Sequence, residues 1–134
     1  MSYLLDTSVL ARLRHPVVRS RVEALDADGV ARSPITDLEI GFSARSGSDW
    51  DQLMAAVDAF GLVEIQPSHF ARARQVQRLL AVQGLKGRKV PDLLIAAAGE
   101  AVARTVLHYD ADFDHIAGVT GQATEWVVAR GTID

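Results

Sequence analysis

Pro91-Asp92-Leu93-Leu94-Ile95-Ala96-Ala97 opens a helical pattern, and Thr105-Val106-Leu107-His108-Tyr109 follows it as a short apolar run that ends on Asp110. Pro91 suits the first turn of a helix, because the amide it lacks would have no partner there. The pattern predicts a helix to about Ala103, a strand over Thr105–Tyr109 and a short helix over Ala111–Ile116. Strands alternating with helices imply a parallel sheet covered by helices on both faces.

The same alternation runs outward to the start of the chain. Ser2–Asp6 reads as a buried strand, followed by a helix from Thr7 to about Arg14 that Pro16 interrupts. Val17, Val22 and Leu25 predict a second helix ended by Asp28-Gly29, and Val30–Ser33 a second strand. Thr36–Arg45 reads as a helix, and Ser48 as the cap of another carrying Trp50, Leu53, Met54, Val57 and Phe60. Leu62–Ile65 reads as a strand and Pro67–Val82 as a long helix, with Gln83–Val90 a glycine-containing basic loop and Thr124–Ala129 a final strand. The fold expected is α/β: three layers, α-β-α, around a central mainly parallel sheet, with residues 1–134 as one domain.

Ligands of open parallel sheets sit beyond the carboxyl ends of the strands. Asp6 and Asp110 follow strands directly, while Glu39 and Asp92 are expected in the first turns of helices that begin at the same edge. The topology therefore predicts that the four acids converge. Each has a structural alternative: Asp6 as a helix cap, Glu39 in a capping box with Thr36, Asp92 facing a helix dipole, Asp110 or Asp112 capping a short helix. Convergence is the costlier arrangement, since two carboxylates ~4 Å apart repel by roughly 4 kcal/mol at an effective dielectric of 20. A cation must hold them, and a divalent metal is the usual one.

Composition narrows the chemistry. The chain has 134 residues and no cysteine, which excludes disulfides, thiolate metal sites and cysteine nucleophiles. The N-terminal apolar stretch is broken at once by Asp6, and Leu93–Gly99 is far too short to cross a bilayer, so a cytoplasmic location is expected. The net charge of −3 argues against nucleic acid, but two bound divalent ions would move it to about +1. Asp110-x-Asp112-x-Asp114 opens like a calcium loop, yet His115 and Gly121 stand where that loop needs Gly and Glu. No phosphate-binding glycine motif occurs, and of the four histidines only His108 stands next to a candidate acid pair. Phe42, Trp50 and Phe60 fall at helical spacings and are expected in the core, with a partner groove as the alternative.

The chain resembles PIN-domain ribonucleases, specifically VapC-type toxins of bacterial toxin–antitoxin pairs. The resemblance rests on Leu4-Leu5-Asp6-Thr7-Ser8, on Ser33-Pro34-Ile35-Thr36-x-x-Glu39, on Val90-Pro91-Asp92-Leu93-Leu94-Ile95-Ala96-Ala97, and on Leu107-His108-Tyr109-Asp110-Ala111-Asp112-Phe113. It implies Asp6, Glu39, Asp92 and Asp110 as catalytic acids, with Asp112 as a second contributor beside Asp110. It implies that Asp6, Asp92 and Asp110 hold Mg2+ or Mn2+, that Ser8 supports the acids or the substrate, and that the reaction is metal-assisted hydrolysis of structured RNA such as tRNA or rRNA. It further implies a cognate antitoxin whose tail covers the acids, and a homodimer. Lys86, Arg88 and Lys89, with Arg12, Arg72 and Arg74, are candidates for contact with the RNA backbone. Two rivals remain: a catalytically silent PIN-like module that binds RNA or protein, and a phosphatase with Asp6 as nucleophile. The latter class wants a second Asp where Ser8 stands.

Overall fold

Strands β1 (Tyr3–Leu5), β2 (Val30–Arg32), β3 (Gly61–Leu62), β4 (Thr105–His108) and β5 (Thr124–Trp126) form one sheet of order β3-β2-β1-β4-β5, and every neighbouring pair is parallel. The computed structural model describes residues 1–85 and 89–134, so Lys86, Gly87 and Arg88 of the basic loop lie outside the described residues. Helices α1 (Thr7–Leu10), α2 (Pro16–Glu23), α3 (Pro34–Phe42), α4 (Gly47–Val57), α5 (Pro67–Val82), α6 (Val90–Ala101) and α7 (Asp112–Thr120) connect the strands.

Side chains of a strand point alternately to opposite faces. Leu4 and Val106 accordingly enter a core with α5, α6 and α7 through Val76, Leu80, Ile95 and Phe113. Tyr3, Leu5 and Leu107 enter a second core with α1 to α4 through Val9, Val18, Ile40 and Val57. This is the expected three-layer α-β-α arrangement. Helix α6 lies tight on the sheet because of Gly99: a Cβ there would come within 2.9 Å of Val106 Cγ2.

Several predicted boundaries shift. Helix α1 ends at Leu10, and the chain continues in i→i−3 turns such as Arg12 N–H to the Val9 carbonyl and His15 N–H to the Arg12 carbonyl. A helix carried through Pro16 would set the ring against the Arg12 carbonyl. Helix α3 starts at Pro34, with the Ser33 hydroxyl accepting the Thr36 amide at 3.4 Å, so the predicted Thr36–Glu39 capping box does not form. Glu39 therefore lies in the second turn, not the first. Ser46, not Ser48, caps α4, because its hydroxyl reaches the Asp49 amide. The third and last strands are shorter than predicted, since their partners β2 and β4 end at Arg32 and His108. Phe42 was expected inside and is 91% exposed, whereas Phe60 packs against the second core.

Strand order reverses between β1 and β4. Beyond their carboxyl ends is where such a sheet leaves room for a ligand.

Candidate metal centre

Leu5 is fully buried, and the Asp6 amide still bonds the Leu107 carbonyl at 2.9 Å, so Asp6 is held rigidly as the chain leaves β1. It caps α1. Its Oδ2 accepts the Ser8 amide at 3.0 Å and the Ser8 hydroxyl at 2.5 Å. The Ser8 oxygen in turn accepts the Tyr109 amide at 2.8 Å, which locks the ends of β1 and β4 together. Asp6 Oδ1 is buried with no hydrogen-bond partner.

Glu39 comes from α3. The Thr7 hydroxyl donates to Glu39 Oε1 at 2.6 Å and lies 3.0 Å from the buried Thr36 hydroxyl. Asp92 stands in the first turn of α6, only 5% exposed, with Oδ2 buried and unpartnered. Asp110 leaves β4 with its amide on His108 Nδ1 at 3.2 Å and its Oδ1 on the Asp112 amide at 2.9 Å. Its Oδ2 receives the Lys89 ammonium at 2.8 Å, and that nitrogen lies 3.7 Å from Asp92 Oδ2.

Burial and crowding leave their mark on the carboxyl groups. Burial, with the Glu39 and Asp110 charges adding to it, raises the Asp6 pKa against the lowering effect of the Ser8 hydrogen bonds. Asp92 is pushed up to about 8, first by burial and then by the Asp6 charge, with Lys89 opposing. Burial alone would raise Asp110 too, but the Lys89 ammonium and the Asp112 amide hold it below the ordinary value. His108 is packed flat against Phe113 and edge-on to Trp126, each at 5.0 Å, and burial lowers its pKa to about 4. It is a neutral packing residue whose Nδ1 positions the Asp110 amide.

Asp6, Glu39, Asp92 and Asp110 all line one cleft of about 630 Å³ at the sheet edge. Asp92, Asp110 and Asp112 each offer an oxygen, and the three oxygens lie within 4.8 Å of one another. Such an all-oxygen donor set suits a hard divalent cation, and Asp6, expected among the ligands, lies outside this close group, its buried Oδ1 making no hydrogen bond on the wall of the same cleft. The close group thus includes Asp112, which sequence reasoning ranked behind Asp6. Two other features escaped it. Lys89, read as an RNA contact, pairs with the acids; its i,i+3 spacing to Asp92 was the available signal. The wall of the cleft formed by Tyr109, Trp126 and Arg130 left no sequence signal, because only the fold brings those residues to Asp6.

The family model of the PIN domain matches residues 3–119. The chain belongs to the PIN domain family. Ribonuclease VapC51 of Mycobacterium tuberculosis is 58% identical to this PIN domain, covering all of the chain and 98% of that protein. The VapBC-5 toxin–antitoxin structure from the same organism aligns with a TM-score of 0.65 at 26% identity, over 96% of this chain and 98% of that one. VapBC2 from Rickettsia felis, bound to a DNA fragment of its promoter, aligns with a TM-score of 0.78 at 20% identity, over 94% and 98% of the two chains. Among the described residues of this PIN domain, no helix is long and apolar enough to cross a membrane.

Proposed function

We propose that this PIN domain is a metal-dependent endoribonuclease and the toxin of a toxin–antitoxin pair. The observation that carries the reading is the pair of buried carboxylate oxygens, Asp6 Oδ1 and Asp92 Oδ2, left without hydrogen-bond partners at the one edge of the sheet where ligands gather. The name of its 58% identical relative, a ribonuclease, supplies the reaction class. Asp6, Asp92 and Asp110, with Asp112 beside them, hold Mg2+ or Mn2+. Such an ion activates water at neutral pH and offsets charge developing on the scissile phosphate.

The chain's own residues have distinct duties. Ser8 fixes the rotamer of Asp6 and ties it to β4, so the ligand oxygens keep their spacing. Thr7 holds Glu39 at the margin of the cleft, where its carboxylate orients the attacking water. Lys89 neutralises Asp110 in the free protein and turns to an RNA phosphate once the acids have another counter-charge. The RNA is structured, of the tRNA or rRNA kind.

The cognate antitoxin covers the same cleft with a cationic side chain, an arginine on Asp6 or Asp92. An apolar groove of about 410 Å³ between α1, α3 and α4, lined by Leu10, Leu13, Ile40 and Leu53, supports a docking place for its helix. A homodimer completes the assembly.

The test is incubation of purified protein with total RNA in Mg2+, in Mn2+ and in chelator. Cleavage should need the metal and should vanish in folded Asp6→Asn and Asp92→Asn proteins. Equal cleavage by those variants would assign the activity to a contaminant and remove the case for this site.

A further inference from the structure

Arg12 stands on the wall of the same cleft, outside the acid cluster, and its guanidinium is fixed from several sides. Nη1 donates to the Ser8 carbonyl at 2.9 Å, and Cζ lies 5.2 Å above the centre of the Tyr109 ring. Tyr109 is itself anchored: its hydroxyl donates to the Ile133 carbonyl at 2.5 Å and accepts the Gly131 amide at 3.0 Å. Ser8 and Tyr109 are the residues that brace Asp6 and directly precede Asp110, so the guanidinium is set beside the acids by the same frame that sets them.

The anion now on this arginine is internal. Asp134 Oδ2 accepts from Arg12 Nε at 3.1 Å, and Asp134 Oδ1 lies 3.4 Å from His15 Nε2. That nitrogen is shielded from solvent yet makes no well-formed hydrogen bond. Arg12 Nη2 donates to no group among the described residues. A carboxylate thus leaves the Arg12 Nη2 donor unused and His15 Nε2 without a well-formed bond. A phosphate, tetrahedral and with more acceptor oxygens, would use them, and a pre-set guanidinium is suited to it. An ion pair as exposed as Arg12–Asp134 adds little to stability, so exchanging its anion costs the fold little.

Resting on the nuclease reading above, we propose that Arg12 and His15 form a second phosphate subsite, for a phosphodiester flanking the scissile one, and that the Asp134 carboxylate occupies it until RNA displaces it. The RNA must then carry a phosphate to the Tyr109 side of the acids while another sits at Asp92 and Asp110. Arg130, stacked 5.6 Å over Trp126, extends the same cationic and aromatic wall along the strand.

The experiment is a double-mutant cycle on RNA binding, with the full chain in chelator at low salt and fluorescein-labelled bulk tRNA as the probe. Arg12→Gln should weaken binding about tenfold and reduce the slope of log K against log salt by about one. Asp134→Asn should tighten it about three- to tenfold, and this gain should disappear in the Arg12→Gln background. Asp51→Asn, an equal charge change on the exposed face of α4, should give no comparable gain. Circular dichroism melts check that each variant is folded, and Arg12→Lys, which keeps the charge but not the fork, should recover only part of the affinity.

The subsite is overturned if Asp134→Asn tightens binding equally with and without Arg12, if Asp51→Asn does as much, or if wild-type protein binds no tRNA. Cleavage in Mn2+ is read in parallel. RNA cleavage by wild type with an additive cycle sinks the subsite and leaves the nuclease reading standing. A coupled cycle without cleavage does the reverse.

Discussion

Asp92→Asn is expected to stabilise the metal-free protein while removing its activity. Asp92 has a folded pKa of about 8 against an ordinary value of 3.8, because burial and then the Asp6 charge disfavour its ionised form. The folded chain therefore binds that proton more tightly than the unfolded chain does. The resulting penalty is absent below about pH 3.8, grows as pH rises and is complete above about pH 8. At pH 7 the gap is about 3 units, and at roughly 1.4 kcal/mol per unit the penalty reaches about 4 kcal/mol as an upper bound. Side-chain rotation and water entry relieve part of it, so asparagine should gain about 1–3 kcal/mol. At about 3–4 °C per kcal/mol for a chain of this size, Tm should rise by about 4–10 °C.

The assay is thermal unfolding of both proteins in chelator at pH 5 and pH 7.5. At pH 5 only about a third of the gain should remain, because less of the penalty has accrued. Adding Mn2+ should then raise the wild-type Tm by mass action and the variant's much less. A variant that melts at or below wild type at pH 7.5, or whose gain is the same at both pH values, would refute the reasoning.

Three further substitutions probe the frame around the site. Ser8→Ala removes the hydroxyl that bonds Asp6 and accepts the Tyr109 amide; urea unfolding should show a loss of about 1–3 kcal/mol, and Ser8→Thr should restore most of it along with turnover. Arg32→Met strips donors from the Phe60 carbonyl at 2.6 Å and from Asp37 at 3.0 Å, and should lower stability by about 3 kcal/mol, seen as a lower denaturation midpoint. Gly99→Ala forces a Cβ to within 2.9 Å of Val106 and should cost about 1–3 kcal/mol, less about 1 kcal/mol of gained helix propensity, by the same measurement.

The layered fold was legible because the buried strands are apolar and the helices carry proline or serine at their starts. Pro34, Pro67 and Pro91 each stand in the first two positions of a helix, and Leu4-Leu5 and Val106-Leu107 are wholly buried. Strand ends were not legible, because a strand of three residues stops where its neighbour stops, and pairing is a property of two segments. The sheet-edge rule anticipated that Asp6, Glu39, Asp92 and Asp110 line one cleft, and Ser8, expected in support, bonds Asp6, yet the other partners were not legible. Glu39 read as half of a capping box, while the fold gives it the Thr7 hydroxyl, 32 residues away in sequence. Lys89 read as a contact for the RNA backbone and is bonded to Asp110. Arg12 read as one of several candidates for contact with the RNA backbone, and only the packing of Tyr109 sets it apart.

The molecule itself supplies the comparison that distinguishes a working site from a structural charge network. Arg32 is a buried cation on β2, and its nitrogens are given the Asp37 carboxylate, the Asp58 carboxylate and the Phe60 carbonyl, all within 3.3 Å. Where this fold buries a charge for structural purposes, it saturates it. At the ends of β1 and β4 it does the opposite: two buried carboxylate oxygens are left without a hydrogen bond, and the cation that reaches Asp92 and Asp110 is a lysine still 59% exposed. An arrangement that raises the pKa of Asp92 to about 8 and destabilises the fold at neutral pH is retained at the expense of stability. Its return would lie in chemistry that needs carboxylates free of hydrogen bonds, such as holding the divalent ion that the proposed phosphodiester hydrolysis calls for.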